Sequence, residues 1–270
     1  MYKILNNFYK SNFFDKLPNF LSRKLFKIFK IFFVETNLKS LPKNNHPTTL
    51  DKNLKLKIIK NKENKFYRPF STCLYLLEIL TLYSKTNKNF SFFDFGANNI
   101  DNFIYLNRYI NNWQYIYHDL PQYNEVISTL VNENKLNNIK ISHDISLGKE
   151  PLDFVFFGSS LHYVDNYKQI LNKFIQNKTK NIVLSHTPFY ISNNNENDIV
   201  LKQVNIHPTI NYAYLFHYKN FISFMNENNY SLISQNKNNL IKFLNFKNFS
   251  SDFTFINFLD LTFSYNNNSS

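Results

Sequence analysis

Phe90-Ser-Phe-Phe-Asp94-Phe-Gly96-Ala97-Asn98-Asn99-Ile-Asp-Asn102 is the stretch on which the reading of this chain turns. A mostly apolar run leads to Asp94, one large apolar residue follows, and Gly96 opens a short polar segment. A helical pattern then starts at Phe103. That order describes a buried strand, a tight turn and a helix. In open α/β sheets such a turn lies at the carboxyl end of the strand, where nucleotide-like ligands bind. Gly96 is one of only 3 glycines in the chain, and glycine lets the backbone turn sharply and approach a ligand closely. A dinucleotide fingerprint would place further glycines near positions 98 and 100–101. Asn98 and Asn99 stand there instead, and asparagine tolerates positive φ better than most residues. Taken alone, the loop is equally well a strand-to-helix turn with no ligand.

Downstream of the loop the pattern continues as strands alternating with helices. Trp113–His118 reads as a second strand, 125–133 as a helix, Ile139–Ser142 as a third strand and 152–157 as a fourth. A helix over 166–176, a fifth strand over 181–185, a helix over 218–228 and a strand over 230–234 follow. Phe253–Tyr265 carries apolar residues at odd positions, which fits a last, antiparallel strand. Such alternation implies a parallel sheet with helices on both faces. The expected fold is Rossmann-like α/β: a mostly parallel seven-stranded sheet with its last strand antiparallel. Residues 66–270 would form this domain, and residues 1–65 a basic, aromatic helical extension and linker.

In the extension, the 21–34 segment has helical period. Leu21, Leu25, Phe26, Ile28, Phe29, Phe32 and Phe33 fall on one face, and Arg23, Lys24, Lys27 and Lys30 on the other. Such a helix can lie on an anionic membrane, or it can pack its apolar face on the domain. Residues 41–65 read as a polar linker with a short helix at 54–60. Pro69 starts a stronger helix with Ser71 as its cap.

The formal net charge is +12 in 270 residues. A basic balance favours phosphates, nucleic acid or anionic membrane, but no nucleic-acid module is present and a solvated lysine-rich surface accounts for the charge. A single cysteine, Cys73, reads as a core thiol; it excludes a disulfide within the chain and fits a reducing, cytoplasmic setting. No CxxC or HExxH motif supports a metal site. No apolar run reaches membrane-spanning length, and the N-terminus lacks a signal peptide's pattern.

Several residues carry candidate chemistry. Asp119 lies just past the second strand in His-Asp-Leu-Pro, where an acid can accept ribose hydroxyls, and Pro121 stiffens the turn after Leu120. Asp144 follows the third strand and can accept an adenine amino group while Ile145 packs on the ring; a helix cap is the equal alternative. Ser159 and Ser160 follow the fourth strand and can contact a cofactor. His162 and Tyr163 would face the substrate, with His162 as a general-base candidate, since imidazole titrates near neutrality. His186 follows the fifth strand and projects toward the same rim. His207, Tyr212, Tyr214 and His217 fall in a loop-rich segment that can form a lid over the substrate.

Together Phe93-Asp-Phe-Gly96, Trp113 through Pro121, Asp153 through Tyr163, Thr187-Pro-Phe189 and the 203–214 segment resemble class I S-adenosylmethionine-dependent methyltransferases. The nearer likeness is to a methyltransferase family found among bacterial surface-polysaccharide genes. The resemblance covers about 66–235. It implies S-adenosylmethionine as cofactor, a cofactor loop at Asp94, Gly96, Ala97, Asn98 and Asn99, ribose on Asp119, contacts from Ser159 and Ser160, and a small-molecule or sugar acceptor. The family's loop is richer in glycine, its counterpart of His162 is usually glutamine, and a basic residue is common where His186 stands. A non-catalytic relative that binds or scaffolds is the alternative; a nicotinamide enzyme would need the fuller glycine pattern.

Overall fold

The computed structural model describes residues 33–42, 74–133, 135–145, 150–203, 211–238 and 253–266, with Lys24, Ile28, Pro69, Gly148 and Phe249. Ten strands and five helices of six residues or more are found among them: β1 (Phe33–Glu35), α1 (Leu74–Thr86), β2 (Phe90–Phe95), α2 (Asp101–Leu106), β3 (Trp113–His118), α3 (Pro121–Glu133), β4 (Ile139–Ser142), β5 (Phe154–Gly158), α4 (Tyr167–Gln176), β6 (Asn181–Ser192), β7 (Ile199–Gln203), β8 (Asn211–His217), α5 (Tyr218–Glu227), β9 (Tyr230–Lys237) and β10 (Phe253–Tyr265). A single 3₁₀ turn, Leu161–Tyr163, follows β5.

The centre of the sheet is parallel, in the order β4-β3-β2-β5-β6. Its central strands β2 and β5 are almost wholly apolar because both of their faces are covered, while β3 and β4 toward the edge alternate with polar residues. Alternate residues go to opposite faces. Phe92, Phe154, Phe156 and Val183 pack with Leu76 and Leu80 of α1, Phe103 of α2 and Ile127 and Leu130 of α3. Phe93, Phe95, Val155, Phe157, Ile182 and Leu184 pack with Leu171 and Phe174 of α4 and Phe221 and Met225 of α5. The first face is an aromatic lattice in which Phe92 lies 5.5 Å from both Trp113 and Tyr115 between ring centroids.

Beyond β6 the sheet differs from the expected seven strands. β10 runs antiparallel between β6 and β9, as its alternation predicts. β6, however, continues to Ser192, and its distal half pairs with β8 through Phe189 and Tyr190. β8 pairs antiparallel with β7, and β7 with β1. Of the residues expected in a lid, Tyr212, Tyr214 and His217 therefore stand on strand β8, and His207 lies outside the described residues. Phe33 and Val34, expected as the end of a helix, are an edge strand. Most of the 21–34 helix, the 54–60 helix, Ser71 and Cys73 also lie outside the described residues. Among the described residues no helix is long and apolar enough to cross a membrane.

Candidate active site

The carboxyl ends of β2, β3 and β5 are laced into one unit. The Gly96 N–H donates to the His118 carbonyl at 2.9 Å, and Ala97 N–H to the same oxygen at 3.3 Å. Gly96 has φ +66°, and a Cβ there would stand 2.6 Å from the Ser160 Cβ. Ser160 Oγ donates to the Phe95 carbonyl at 2.7 Å. Asn98 takes a left-handed conformation, φ +59°, the role asparagine was expected to take over from glycine. Asn99 Oδ1 accepts the Asp101 N–H at 2.7 Å and so ties down the first turn of α2.

Asp119 faces this turn from the end of β3. Its carboxylate accepts the Asn98 N–H and the Leu120 N–H, the latter at 2.6 Å. Each carboxylate oxygen can accept more than one hydrogen bond, so the two oxygens can also serve a ligand. Asn124, fully buried in α3, holds the acid from behind: Oδ1 accepts the Asp119 N–H at 3.1 Å and Nδ2 donates to the Ser142 carbonyl at 3.0 Å. This anchor is a residue that sequence reasoning missed, because a polar residue in a mixed helix carries no sign of its partner.

Between these turns lies a cleft of about 650 Å³, within the size range of small-molecule and cofactor sites. Of the expected cofactor contacts, Gly96, Asn98, Asp119, Leu120, Ser159 and Ser160 line it; Tyr163, expected on the substrate side, lines it too. Tyr123, His143, Gln203 and Asn211 line it without having been foreseen. Asp144 and Ile145 do not line it, and His143 stands there in their place; Ile145 packs against the core instead. Tyr214 turns to the opposite face of β8, where its hydroxyl donates to Asp165 Oδ1 at 3.1 Å. Tyr212 shares that face. His217 is buried against Tyr190, 5.2 Å between ring centroids.

Asp94 lies beneath the turn, buried. One carboxylate oxygen accepts from Tyr115 OH and, at 2.8 Å, from Asn102 Nδ2; the other has no partner among the described residues. Burial pushes its pKa up to about 7, against the lowering effect of those two hydrogen bonds. His162 is buried too, with its ring 4.2 Å from that of Tyr163. The cleft wall at that point is Tyr163, and the imidazole is not part of it. Burial, with a smaller push from His186, takes the His162 pKa down to about 3. His186, at φ +57°, is buried beside Phe258, and burial lowers it to about 4 against the opposing pull of Asp260. Asp260 secures that bend by accepting Ser185 Oγ and the His186 N–H, each at 2.9 Å. The two histidines are thus brought together, but behind the cleft wall.

A second, polar cleft of about 440 Å³ opens between α4 and α5, with Tyr214 and Asp165 in its lining. Among the described residues no group of three or more His, Cys, Asp or Glu could hold a metal ion.

Solved structures of low sequence identity share this architecture. Coclaurine N-methyltransferase bound to N-methylheliamine and S-adenosylhomocysteine is similar over 97% of this chain and 94% of its own, with a TM-score of 0.53 at 10% identity. The fold is that of the S-adenosylmethionine-dependent methyltransferases. The [4+2]-cyclase SpnF is similar over 71% of this chain and 80% of its own, with a TM-score of 0.50 at 6% identity. The N-terminal domain of EvdMO1 with S-adenosylhomocysteine bound covers 82% of this chain and 100% of its own, with a TM-score of 0.49 at 10% identity. No family model and no curated protein matches the sequence. A methyltransferase and a cyclase on one fold mean that the reaction has to be argued from the site.

Proposed function

We propose that this chain is an S-adenosylmethionine-dependent methyltransferase acting on a small-molecule or glycan-type acceptor, with a role in surface polysaccharide synthesis carried by the sequence resemblance. The observation that carries the reading is the Gly96–Asn98 turn locked against Asp119 at the mouth of the cleft. A backbone turn that tight lets a ligand approach the main chain, and an acid across from it suits a ribose. Coclaurine N-methyltransferase, with S-adenosylhomocysteine bound, lends the cofactor its support. The left-handed Asn98 speaks against a collapsed, inactive loop. Peripheral contact of 21–34 with an anionic membrane belongs to the same reading and rests on its sequence pattern.

When bound, the cofactor supplies an electrophilic methyl group whose transfer leaves the C–S electron pair on sulfur. The residues of this chain then have to bind, align and exclude water, which is where most of the acceleration of such a transfer comes from. Asp119→Ala should weaken S-adenosylhomocysteine binding by about 1.5–3 kcal/mol, the range for hydrogen bonds to a charged group. Titration calorimetry with S-adenosylhomocysteine and with NAD measures this. Unchanged affinity in a folded variant removes the ribose assignment, and tighter binding of NAD removes the methyltransferase reading.

The same proposal keeps His162 and His186 as the candidate bases and bounds their role. Removing a general base costs ~10²–10⁴-fold in rate. With neither ring in the lining of the cleft and both pKa values well below neutrality, His162→Ala is expected to cost less than about tenfold in turnover. A hundredfold loss with cofactor affinity intact would establish His162 as the base instead.

A further inference from the structure

The end of the cleft away from Asp119 is walled by Tyr163, Val164, Gln203 and Asn211. Among the described residues none of that wall is charged. Gln203 and Asn211 come from the β7–β8 ribbon, where they stand directly opposite each other across the two strands, and cross-strand partners project from the same face. Gln203 is buried, and its Oε1 accepts the Tyr163 hydroxyl at 2.9 Å. Burial holds the Tyr163 pKa up at about 12, so at neutral pH this hydroxyl is a donor. Gln203 therefore has its oxygen committed and its Nε2 hydrogens to offer. Asn211 has the reverse need: Oδ1 is buried and no donor among the described residues reaches it. A buried acceptor without a donor is unfavourable, and the terminal torsion of asparagine is soft enough to turn the oxygen toward a donor in the cleft.

We infer that the Gln203–Asn211 pair recognises a neutral acceptor group that accepts from one amide and donates to the other, as a vicinal diol or a cyclic amide does. The inference rests on the reading of the cleft as a methyl-transfer site and adds the acceptor's chemistry to it. A carboxylate has no proton for Asn211 Oδ1 at neutral pH. An ammonium group has no lone pair for Gln203 Nε2. Neither charge would meet a counter-ion on this wall, and an unpaired charge in a half-buried cleft is strongly disfavoured. The diol and the cyclic amide share the donor–acceptor edge and are separated by experiment.

Ligand-observed saturation-transfer NMR on the full chain, with and without saturating S-adenosylhomocysteine, compares four fragments: trans-cyclohexane-1,2-diol, piperidin-2-one, cyclohexanecarboxylate and cyclohexylammonium. The diol or the lactam should bind at least tenfold more tightly than either charged fragment, and Asn211→Leu should abolish that preference. Gln203→Glu, which replaces the amide donor with a carboxylate, should transfer the preference to cyclohexylammonium; it also decides the matter if Asn211→Leu does not fold. Equal or tighter binding of a charged fragment, absence of any fragment binding, or a preference indifferent to both variants would overturn the inference. Diol or lactam binding in a protein that fails to bind S-adenosylhomocysteine would uphold it while ending the methyltransferase reading.

Discussion

Replacing Gly96 by alanine should destabilise the fold by about 2–4 kcal/mol and lower S-adenosylhomocysteine affinity at least tenfold, the sum of a strained backbone and an overpacked contact. Two independent terms act there. At φ +66° a Cβ is strained whatever the space around it. The added methyl would also stand 2.6 Å from the Ser160 Cβ, which is fixed to the backbone of the β5 turn and cannot swing aside. Relief requires the β2 and β5 turns to part, and that breaks the Ser160 Oγ bond to the Phe95 carbonyl. It also shifts the Asn98 amide off Asp119, so that stability and binding fail together.

The two terms can be separated with Ser160→Gly. This variant removes the opposing Cβ and leaves φ as it is. In a double-mutant cycle read by denaturant unfolding, Gly96→Ala in the Ser160→Gly background should recover about 1–2 kcal/mol of its cost, the steric share, while the φ penalty persists. Additive effects of the two substitutions would show that the turns do not press on each other and that the close approach at Gly96 has been misassigned.

The parallel half of this architecture was legible in the sequence because its signals are local. β3, β4 and β10 carry aromatic or alternating runs bounded by turn residues, and their limits were read as they stand in the structure. The fifth strand was read only as far as Ser185; β6 runs on through Pro188, a residue that usually demotes a strand. Here it is accommodated, since the pairing with β8 begins only at Phe189. β1 escaped notice because Phe33 and Val34 prolong the helical period of 21–34. β7 ends in Lys202-Gln203 and β8 begins with Asn211-Tyr212, residues that read as loop when nothing says they face each other. The Gly96–Asp119 end of the cleft was legible because strand–turn–helix order fixes where its residues lie. The opposite end, where a substrate was expected, was legible only at Tyr163, because Gln203 and Asn211 meet only through long-range pairing. Tyr214 was assigned to that side although alternation along β8 sends it to the other face. Likewise Asp260 sits at an even position of β10 that the pattern marks as outward. A register shift between Leu259 and Leu261 brings it inside.

Acidification from pH 6.5 to 4.5 should cost the protein about 2 kcal/mol of stability through three buried groups whose effects differ in sign. His162 and His186 have folded pKa values near 3 and 4, below the unfolded value of 6.5. In this window the unfolded chain therefore binds their protons and the folded chain does not. Each histidine contributes stability that is present above 6.5 and is lost as pH falls. Asp94 is the reverse case. Its folded pKa, raised to about 7 from 3.8, makes the folded chain the better proton binder between those values, so acid relieves its burial penalty. Two protons favouring unfolding and one opposing it leave a net of about one, or roughly 1.4 kcal/mol per pH unit at most. Urea unfolding at three pH values measures the slope, and two variants should move it in opposite directions. His162→Gln, which installs the residue usual at this position in the resembling family, leaves His186 and Asp94 to cancel, so its slope should fall below the parent's by roughly 1 kcal/mol per pH unit. Asp94→Asn removes the opposing term, so its slope should roughly double, toward about 2 kcal/mol per pH unit. A parallel change in both variants, or a His162→Gln slope equal to that of the parent, would mean that these groups are not held in the protonation states that their burial dictates.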